Sequence, residues 1–313
     1  MTVVMMTAIH IPVMVREIIE ALGVRPGGRY VDCTVGEGGH AEAILEMASP
    51  GGNLLGIDRD GEALAVARER LLPYGDRVTL VEGNYDEAAA ICRREGFGPV
   101  DGILLDLGVS SFQLEQGRRG FSFSREGPLD MRFSPQEKPT AADFVNGYRE
   151  EELADILWRF GEERWSRHIA RCIVEQRPIL TTTQLAGVVE QAVGRRGQSV
   201  IHPATRTFLA LRIAVNQELA HLATALEVTH GLLDHSGARL AIIAYHSLED
   251  RLVKDFLRRE SRDCICPPAT PICTCNHRAT LRLLTRKAMR PSVLEVAINP
   301  RSRSARLRAA ERL

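Results

Sequence analysis

Between residues 29 and 107 the hydrophobic period of the sequence switches repeatedly between two values. Apolar runs at 29–35, 53–60, 77–82 and 100–107 alternate with stretches of helical spacing at 40–48, 61–72 and 85–94. A strand places side chains on one face at every second residue, a helix at every third or fourth. The order βαβαβαβ therefore leaves few solutions. Strands joined through helices of this length run parallel, and right-handed crossovers bring their carboxyl ends to one edge. The expected fold class is α/β, a Rossmann-like sheet covered on both faces, with ligands at that edge.

The rhythm breaks after Gly108. Residues 110–139 are polar and rich in turn formers, yet carry Phe112, Phe121 and Phe123. A loop this long is uncommon unless it is functional. Helical spacing resumes at 141–145, 150–160, 164–176 and 183–193, with Thr140 suited to cap the first helix and Thr181 or Thr182 the last. This predicts an all-helical domain, 135–199, inserted between a first part, 1–134, and a second part, 200–313. Within the second part, 202–230 reads as mostly helical, 239–245 as a strand and 248–260 as a helix. Residues 281–285 and 292–297 read as a closing antiparallel hairpin.

Gly36, Gly38 and Gly39 follow the first strand and open the first helix, where glycine permits a sharp turn and close approach of a ligand. Asp58 lies at the end of the second strand, where an acid can accept hydrogen bonds from a ribose diol. Together they point to an adenosine-containing cofactor. Asp32 and Asp106, at the ends of strands one and four, favour S-adenosylmethionine over NAD. That cofactor carries an ammonium and a sulfonium but no pyrophosphate, and Glu37 inside the turn is awkward beside a pyrophosphate. An NAD-dependent dehydrogenase remains the competing reading of the glycine turn.

Charge is distributed unevenly. The formal net charge is zero, yet residues 251–313 carry 15 Lys and Arg against 5 Asp and Glu. An acidic body with a basic final part suits a polyanionic partner. Arg206, Arg212 and Arg251 are candidate phosphate contacts, and Arg301, Arg303, Arg306 and Arg308 candidates for diffuse RNA contact. With only 5% aromatic residues, a platform stacking many bases is not expected. No apolar stretch approaches the roughly 18 residues of a membrane span. The first residues lack the charged head and apolar middle of a secretory signal. The expectation is a cytoplasmic protein without a membrane partner, whose cysteines are thiols or metal ligands.

The sequence resembles the bacterial small-subunit ribosomal RNA cytosine-N4 methyltransferases, the RsmH or MraW family, along nearly its whole length. The likeness runs through His10-Ile11-Pro12-Val13, Asp32-Cys33-Thr34, Gly36 to His40 and Gly56-Ile57-Asp58-Arg59-Asp60. It continues through Leu105-Asp106-Leu107-Gly108-Val109-Ser110-Ser111, Arg119-Gly120-Phe121-Ser122-Phe123 and Gly127-Pro128-Leu129-Asp130-Met131-Arg132. It ends with His202-Pro203-Ala204-Thr205-Arg206-Thr207, His246-Ser247-Leu248-Glu249-Asp250-Arg251 and Asn299-Pro300-Arg301. The resemblance implies a class I methyltransferase sheet with an inserted helical domain. It implies transfer of a methyl group from S-adenosylmethionine to N4 of one cytidine of 16S rRNA near the decoding site, within the small ribosomal subunit; the sequence leaves both monomer and homodimer open. Cofactor contacts carry over to Gly38, Gly39, His40, Asp58, Tyr85, Asp106 and Gln113. Position 85 is commonly Phe in relatives, and Tyr85 keeps the flat ring suited to adenine.

The amine to be methylated has a lone pair delocalised into the base, so an acceptor at its N–H groups must polarise it and receive a proton. Asp106 is that candidate. Asp106-Leu107-Gly108-Val109 lacks the Pro-Pro-aromatic segment many amino-methyltransferases carry, so a stacking ring must come from Phe121, Phe123 or Tyr245. His246 is a candidate positioning or proton-relay group, and Ser110 and Ser111 candidate donors to the base or its phosphate. A non-catalytic RNA-binding ribosome-assembly protein, or a DNA cytosine-N4 methyltransferase, would share many of these residues. Apart from this set, Cys264-Ile265-Cys266 and Cys273-Thr274-Cys275 are candidate ligands of a structural zinc, with His277 as an alternative ligand. Their C-x-C spacing is tighter than usual. Cys33, Cys92 and Cys172 read as scattered buried thiols.

Overall fold

The computed structural model describes residues 11–194, 202–267, 270 and 272–313; His10 of the first motif, and residues 195–199 of the expected insert, lie outside them. Seven strands form one sheet: β1 (Arg29–Asp32), β2 (Asn53–Asp58), β3 (Val78–Glu82), β4 (Gly102–Asp106), β5 (Arg239–Ala244), β6 (Leu281–Leu283) and β7 (Arg306–Arg312). Their spatial order is β3-β2-β1-β4-β5-β7-β6. The first five are parallel, and β7 runs antiparallel to both neighbours. The dinucleotide-binding sheet has the order 3-2-1-4-5-6. Slotting an antiparallel β7 between β5 and β6 gives the class I methyltransferase version of that sheet, the fold class expected.

Period-two alternation with both faces covered decides which side chains go where. Val31, Leu55, Ile57, Ile103, Leu105, Leu240 and Ile242 enter one core. Tyr30, Leu54, Leu104, Ala241 and Ile243, the residues between them, enter the other. Full burial of each large aliphatic chain contributes about 1.5–3 kcal/mol, and a register slip by one residue would exchange the two sets and break the fit of both cores. The helix Gly61–Leu71 starts where Asp60 accepts from the backbone N–H of Glu62 and Ala63.

Two expectations need correction at the far end of the chain. Residues 292–297 are not a strand. Ser292 accepts from Glu295 N at 3.1 Å and caps a helix, Val293–Ile298. The strand that pairs with β6 is β7 instead. Its arginines, expected to touch RNA, are engaged internally: Arg306 Nη1 lies 2.9 Å and Arg308 Nε 2.6 Å from the two oxygens of Asp250. The helix Val15–Leu22, which no sequence signal singled out, buries Ile18 and Leu22.

The chain divides into two compact units, one made of 1–108 and 219–313, the other of Val109–Glu218. The expected insert, 135–199, lies inside the second unit, which begins earlier and ends later for a physical reason. Loop residues Phe121, Leu129, Met131 and Phe133 share a core with Leu153, Leu157, Ile169, Ile173 and Leu185, and so do Phe208 and Leu211 from the helix Ala204–Asn216. Thr140 and Thr181 cap their helices through Asp143 N and Gln184 N. Close backbone approach fixes the loop. A Cβ on Gly127 would sit 1.9 Å from Gly117 O, and one on Gly120 2.3 Å from Pro128 O, so neither position admits a larger residue.

Asn216 ties this loop to the last helix of its unit. Its Oδ1 accepts from Phe133 N at 2.7 Å, and its Nδ2 donates to Met131 O at 2.7 Å and Arg212 O at 2.9 Å. Asn216→Ala strands buried backbone groups at about 1–3 kcal/mol each. We expect chemical denaturation to show a loss of about 2–4 kcal/mol; a loss within the ~0.5 kcal/mol of an ordinary surface change would show that the loop does not depend on it.

Candidate functional site

The carboxyl ends of β1, β2 and β4 each finish on an aspartate: Asp32, Asp58 and Asp106. After β1 the chain turns through Gly36 (φ 51°) and Gly38 (φ 84°), both in the left-handed region. Val35 N donates to Ile57 O at 3.0 Å, and Gly36 N donates to Asp58 Oδ2 at 2.8 Å. A Cβ on Gly39 would come within 2.5 Å of Pro12 Cγ, whereas one on Gly36 would meet only Thr34 O, at 3.9 Å. The turn is thus closed on one side and open on the other. His40 sits in the first turn of the helix Gly39–Met47.

Asp58 has a second duty that sequence reasoning missed. Its Oδ1 accepts from Asp60 N at 2.9 Å while Oδ2 holds the glycine turn. A carboxylate offers about four lone-pair sites, so acceptor capacity remains for a diol. Burial, partly offset by these backbone bonds, pushes its pKa up to about 6.

Asp32 is fully buried. Its Oδ1 accepts from Thr34 N at 3.1 Å, but its Oδ2 has no hydrogen-bond partner. Burial pushes this carboxyl up to about 7. A buried oxygen without a donor is uncommon in a native protein and calls for an explanation. An ammonium group delivered by a ligand would supply the charge and the donor that the chain itself does not. The chemistry of the donor set therefore fits S-adenosylmethionine.

Asp106 is the centre of a second cluster. Tyr245 OH donates to its Oδ1 at 2.9 Å, and its Oδ2 lies 3.5 Å from His40 Nδ1. Its own backbone N donates to Thr34 Oγ1 at 2.6 Å, so Thr34 joins β1 to β4 beneath both acids. Desolvation pushes Asp106 up to about 7, against the pull of the Tyr245 hydroxyl. One fifth of the side chain still faces solvent, so this acid is both desolvated and reachable. Tyr245 is held well above the usual phenol range by burial and by Asp106, and so stays a donor. Burial lowers His40, whose Nε2 lies 2.9 Å from Val13 O. Donation from Nε2 leaves Nδ1 facing Asp106 as an acceptor.

Behind Tyr245 stands Glu249, another residue the sequence reasoning did not single out. Its Oε2 accepts from Tyr245 N at 2.9 Å and from His246 N at 3.3 Å, and His246 Nδ1 accepts from Glu249 N at 3.4 Å. This is a reciprocal cap on the helix Ser247–Glu260, written in the sequence as His246-Ser247-Leu248-Glu249. His246 thus caps a helix whose first turn fixes Tyr245. Tyr85 lies just beyond β3 and packs its ring against the core shared by Ile57 and Leu105.

Ser110 and Gln113 belong to the other unit. Gln113 N donates to Ser110 Oγ at 3.2 Å and Ser110 N to Gln113 Oε1 at 3.1 Å. Phe121 and Phe123 are committed to the core of that unit: Phe121 stacks on Phe133 at 5.6 Å, and Phe123 on His202 at 4.4 Å. Tyr245, the third candidate ring, is hydrogen-bonded to Asp106. Arg212, a candidate phosphate contact, is instead paired with Glu218 by two bonds of 2.8 Å. The four cysteines of the C-x-C pairs do come together, with all their sulfurs within 4.8 Å of one another. Cys33 and Cys92 are buried free thiols and Cys172 a half-buried one. Among the described residues no helix is long and apolar enough to cross a membrane.

A family model described as the MraW methylase family matches residues 7–313. A protein of Dehalococcoides mccartyi named ribosomal RNA small subunit methyltransferase H is 56% identical over 304 residues, 97% of this chain and 86% of its own. One of the same name from Thermomicrobium roseum is 53% identical over 307 residues, 97% of this chain and 94% of its own. Among solved structures, a putative rRNA methylase of Clostridium thermocellum aligns over 97% of this chain and 100% of its own, at 12% identity and a TM-score of 0.44.

Proposed function

The chain belongs to the MraW methylase family, and from that premise we propose that it methylates the exocyclic N4 of one cytidine of 16S rRNA. The substrate is the small ribosomal subunit, the nucleotide lies near its decoding site, and the work is done in the cytoplasm. The observation that carries this reading is Asp106, a desolvated yet reachable carboxylate held by the Tyr245 hydroxyl, one strand away from the unpartnered oxygen of Asp32.

S-adenosylmethionine supplies a methyl group activated by its sulfonium. The protein's part is to bind, orient and move a proton. Asp32 takes the amino-acid ammonium. Asp58 accepts from the ribose hydroxyls, and the turn from Gly36 to Gly39 lets the backbone approach. Tyr85 offers its ring to the adenine. Asp106 accepts an N–H of the cytosine amine, turns the nitrogen lone pair toward the methyl group, and receives the proton as the new bond forms. A pKa near neutrality suits a group that must do both. Gln113 enters this reading through the family resemblance, as a cofactor contact; Ser110 enters as a donor to the base or its phosphate, and His246 as a positioning or proton-relay group.

The test is to incubate the protein with methyl-labelled S-adenosylmethionine and small subunits from cells lacking the enzyme, then digest the RNA to nucleosides. Label is expected in N4-methylcytidine at a single position of 16S rRNA. Label confined to DNA, or carried on a ring carbon, rejects the substrate.

A further inference from the structure

We propose that Cys264, Cys266, Cys273 and Cys275 bind one zinc ion as a tetrathiolate site, and that the ion fixes the segment between the helix Ser247–Glu260 and β6. The site is remote in sequence from the strand-end aspartates, and this inference does not rest on the methyl-transfer reading.

The sulfur geometry is the first argument. Four sulfurs at about 2.3 Å from a tetrahedral zinc stand about 3.8 Å from one another. Here Cys273 Sγ is 3.5 Å from Cys275 Sγ, Cys275 Sγ is 3.9 Å from Cys264 Sγ, and no pair exceeds 4.8 Å. Two disulfides would need sulfurs at about 2.05 Å. The C-x-C spacing, tighter than that of common zinc motifs, works because neither pair lies in a helix. The two stretches are joined by Ile265 N to Cys275 Sγ and Thr274 N to Cys266 Sγ, which holds the four sulfurs together.

The surroundings are the second argument. Ile265 N donates to Cys275 Sγ at 3.4 Å, and Thr274 N to Cys266 Sγ at 3.5 Å. Backbone donors aimed at sulfur stabilise thiolate ligands. His277, the alternative ligand, is engaged elsewhere: its Nε2 lies 3.0 Å from Arg259 O. The four thiolates are therefore a complete set without it.

Among the described residues, little besides the cysteines holds the segment tip. Ile265 is 45% and Ile272 77% exposed, so the apolar residues beside the cysteines bury little. Bonds from Ala279 N to Asp263 Oδ1 and from Thr280 N to Glu260 O secure the base of the excursion. Beyond the base, the described contacts that join its two arms run through sulfur. A segment with so little to bury needs a metal or a cross-link to hold one shape.

The experiment uses the full chain, purified under reducing conditions without added chelator. Elemental analysis is expected to find about one zinc per chain, and titration with a thiol-specific mercurial to release it as four thiols react. Cobalt in place of zinc should give the visible absorption of a tetrahedral thiolate complex. The double variant Cys264→Ser, Cys275→Ser should lose the metal while retaining S-adenosylmethionine binding, and protease should then cut between residues 261 and 280. Retained binding shows that the variant is folded. A reduced protein that takes up no zinc, iron in place of zinc, disulfides within the set, or zinc undiminished in the double variant each overturns the proposal.

Discussion

Asn in place of Asp106 is expected to slow methyl transfer by about 10²–10⁴-fold, the usual worth of a positioned proton acceptor. The substitution keeps the shape of the group and an oxygen for the Tyr245 hydroxyl, so the cluster persists while its basic function is lost. Single-turnover rates at saturating cofactor read the effect directly, and an unchanged rate removes Asp106 from the mechanism. The pH profile gives a second handle. Desolvation has pushed Asp106 up to about 7, and the working form is the carboxylate, so the rate climbs as pH rises through that value. Tyr245→Phe removes the hydrogen bond that favours the charged form. The midpoint then moves to higher pH by about one unit. A purely structural Tyr245 would lower activity without moving the midpoint.

Asp32→Asn is expected to have opposite signs in two assays. Its carboxyl is raised in the folded chain from 3.8 to about 7, with burial the largest cause. A folded pKa above the unfolded one gives stability that is fully present below the unfolded value and is lost as pH rises through the folded value. At pH 8 the free protein therefore holds a disfavoured buried charge. Removing the charge stabilises the free protein by about 1–3 kcal/mol, and the gain fades below about pH 4. Cofactor affinity moves the other way, because a ligand ammonium loses its buried partner. A cost of about 2–5 kcal/mol, roughly 30-fold to several thousandfold in Kd, is expected. Thermal melts across pH and calorimetric titration read the two halves. A variant that is neither more stable nor weaker in binding contradicts the assignment of Asp32 to the ammonium.

The part of this site legible in the sequence was the part encoded locally. Glycines after an apolar run mark a turn, and an acid at the end of a strand marks a ligand edge, so Gly36, Gly38, Asp58 and Asp106 were visible. What was hidden depends on partners distant in sequence. Nothing near Asp32 says that one of its oxygens is left without a donor. Nothing near Arg306 or Arg308 says that Asp250, more than fifty residues earlier, neutralises both. Without that pairing, β7 reads as a basic tail and not as a strand. The run Val293–Ile298 misled in the opposite direction. Its Val, Leu and Ile suggest a strand, yet Ser292 and Glu295 carry the cap signal that wins. Its length marks the 110–139 loop as unusual, but Phe121, Phe123 and Phe133 serve the core of the second unit.

Of the seven strands, β7 is made last and yet lies in the interior of the sheet, between β5 and β6. During synthesis, then, the flank of β5 stays open after the first five strands have joined. Five of its six residues are apolar, Leu-Ala-Ile-Ile-Ala, and its unsatisfied amides offer a template to any passing strand. A nascent chain that stalls before Arg306 would be released with this adhesive seam uncovered. Chaperone capture or aggregation, and not a partly active enzyme, is the fate such a product should meet.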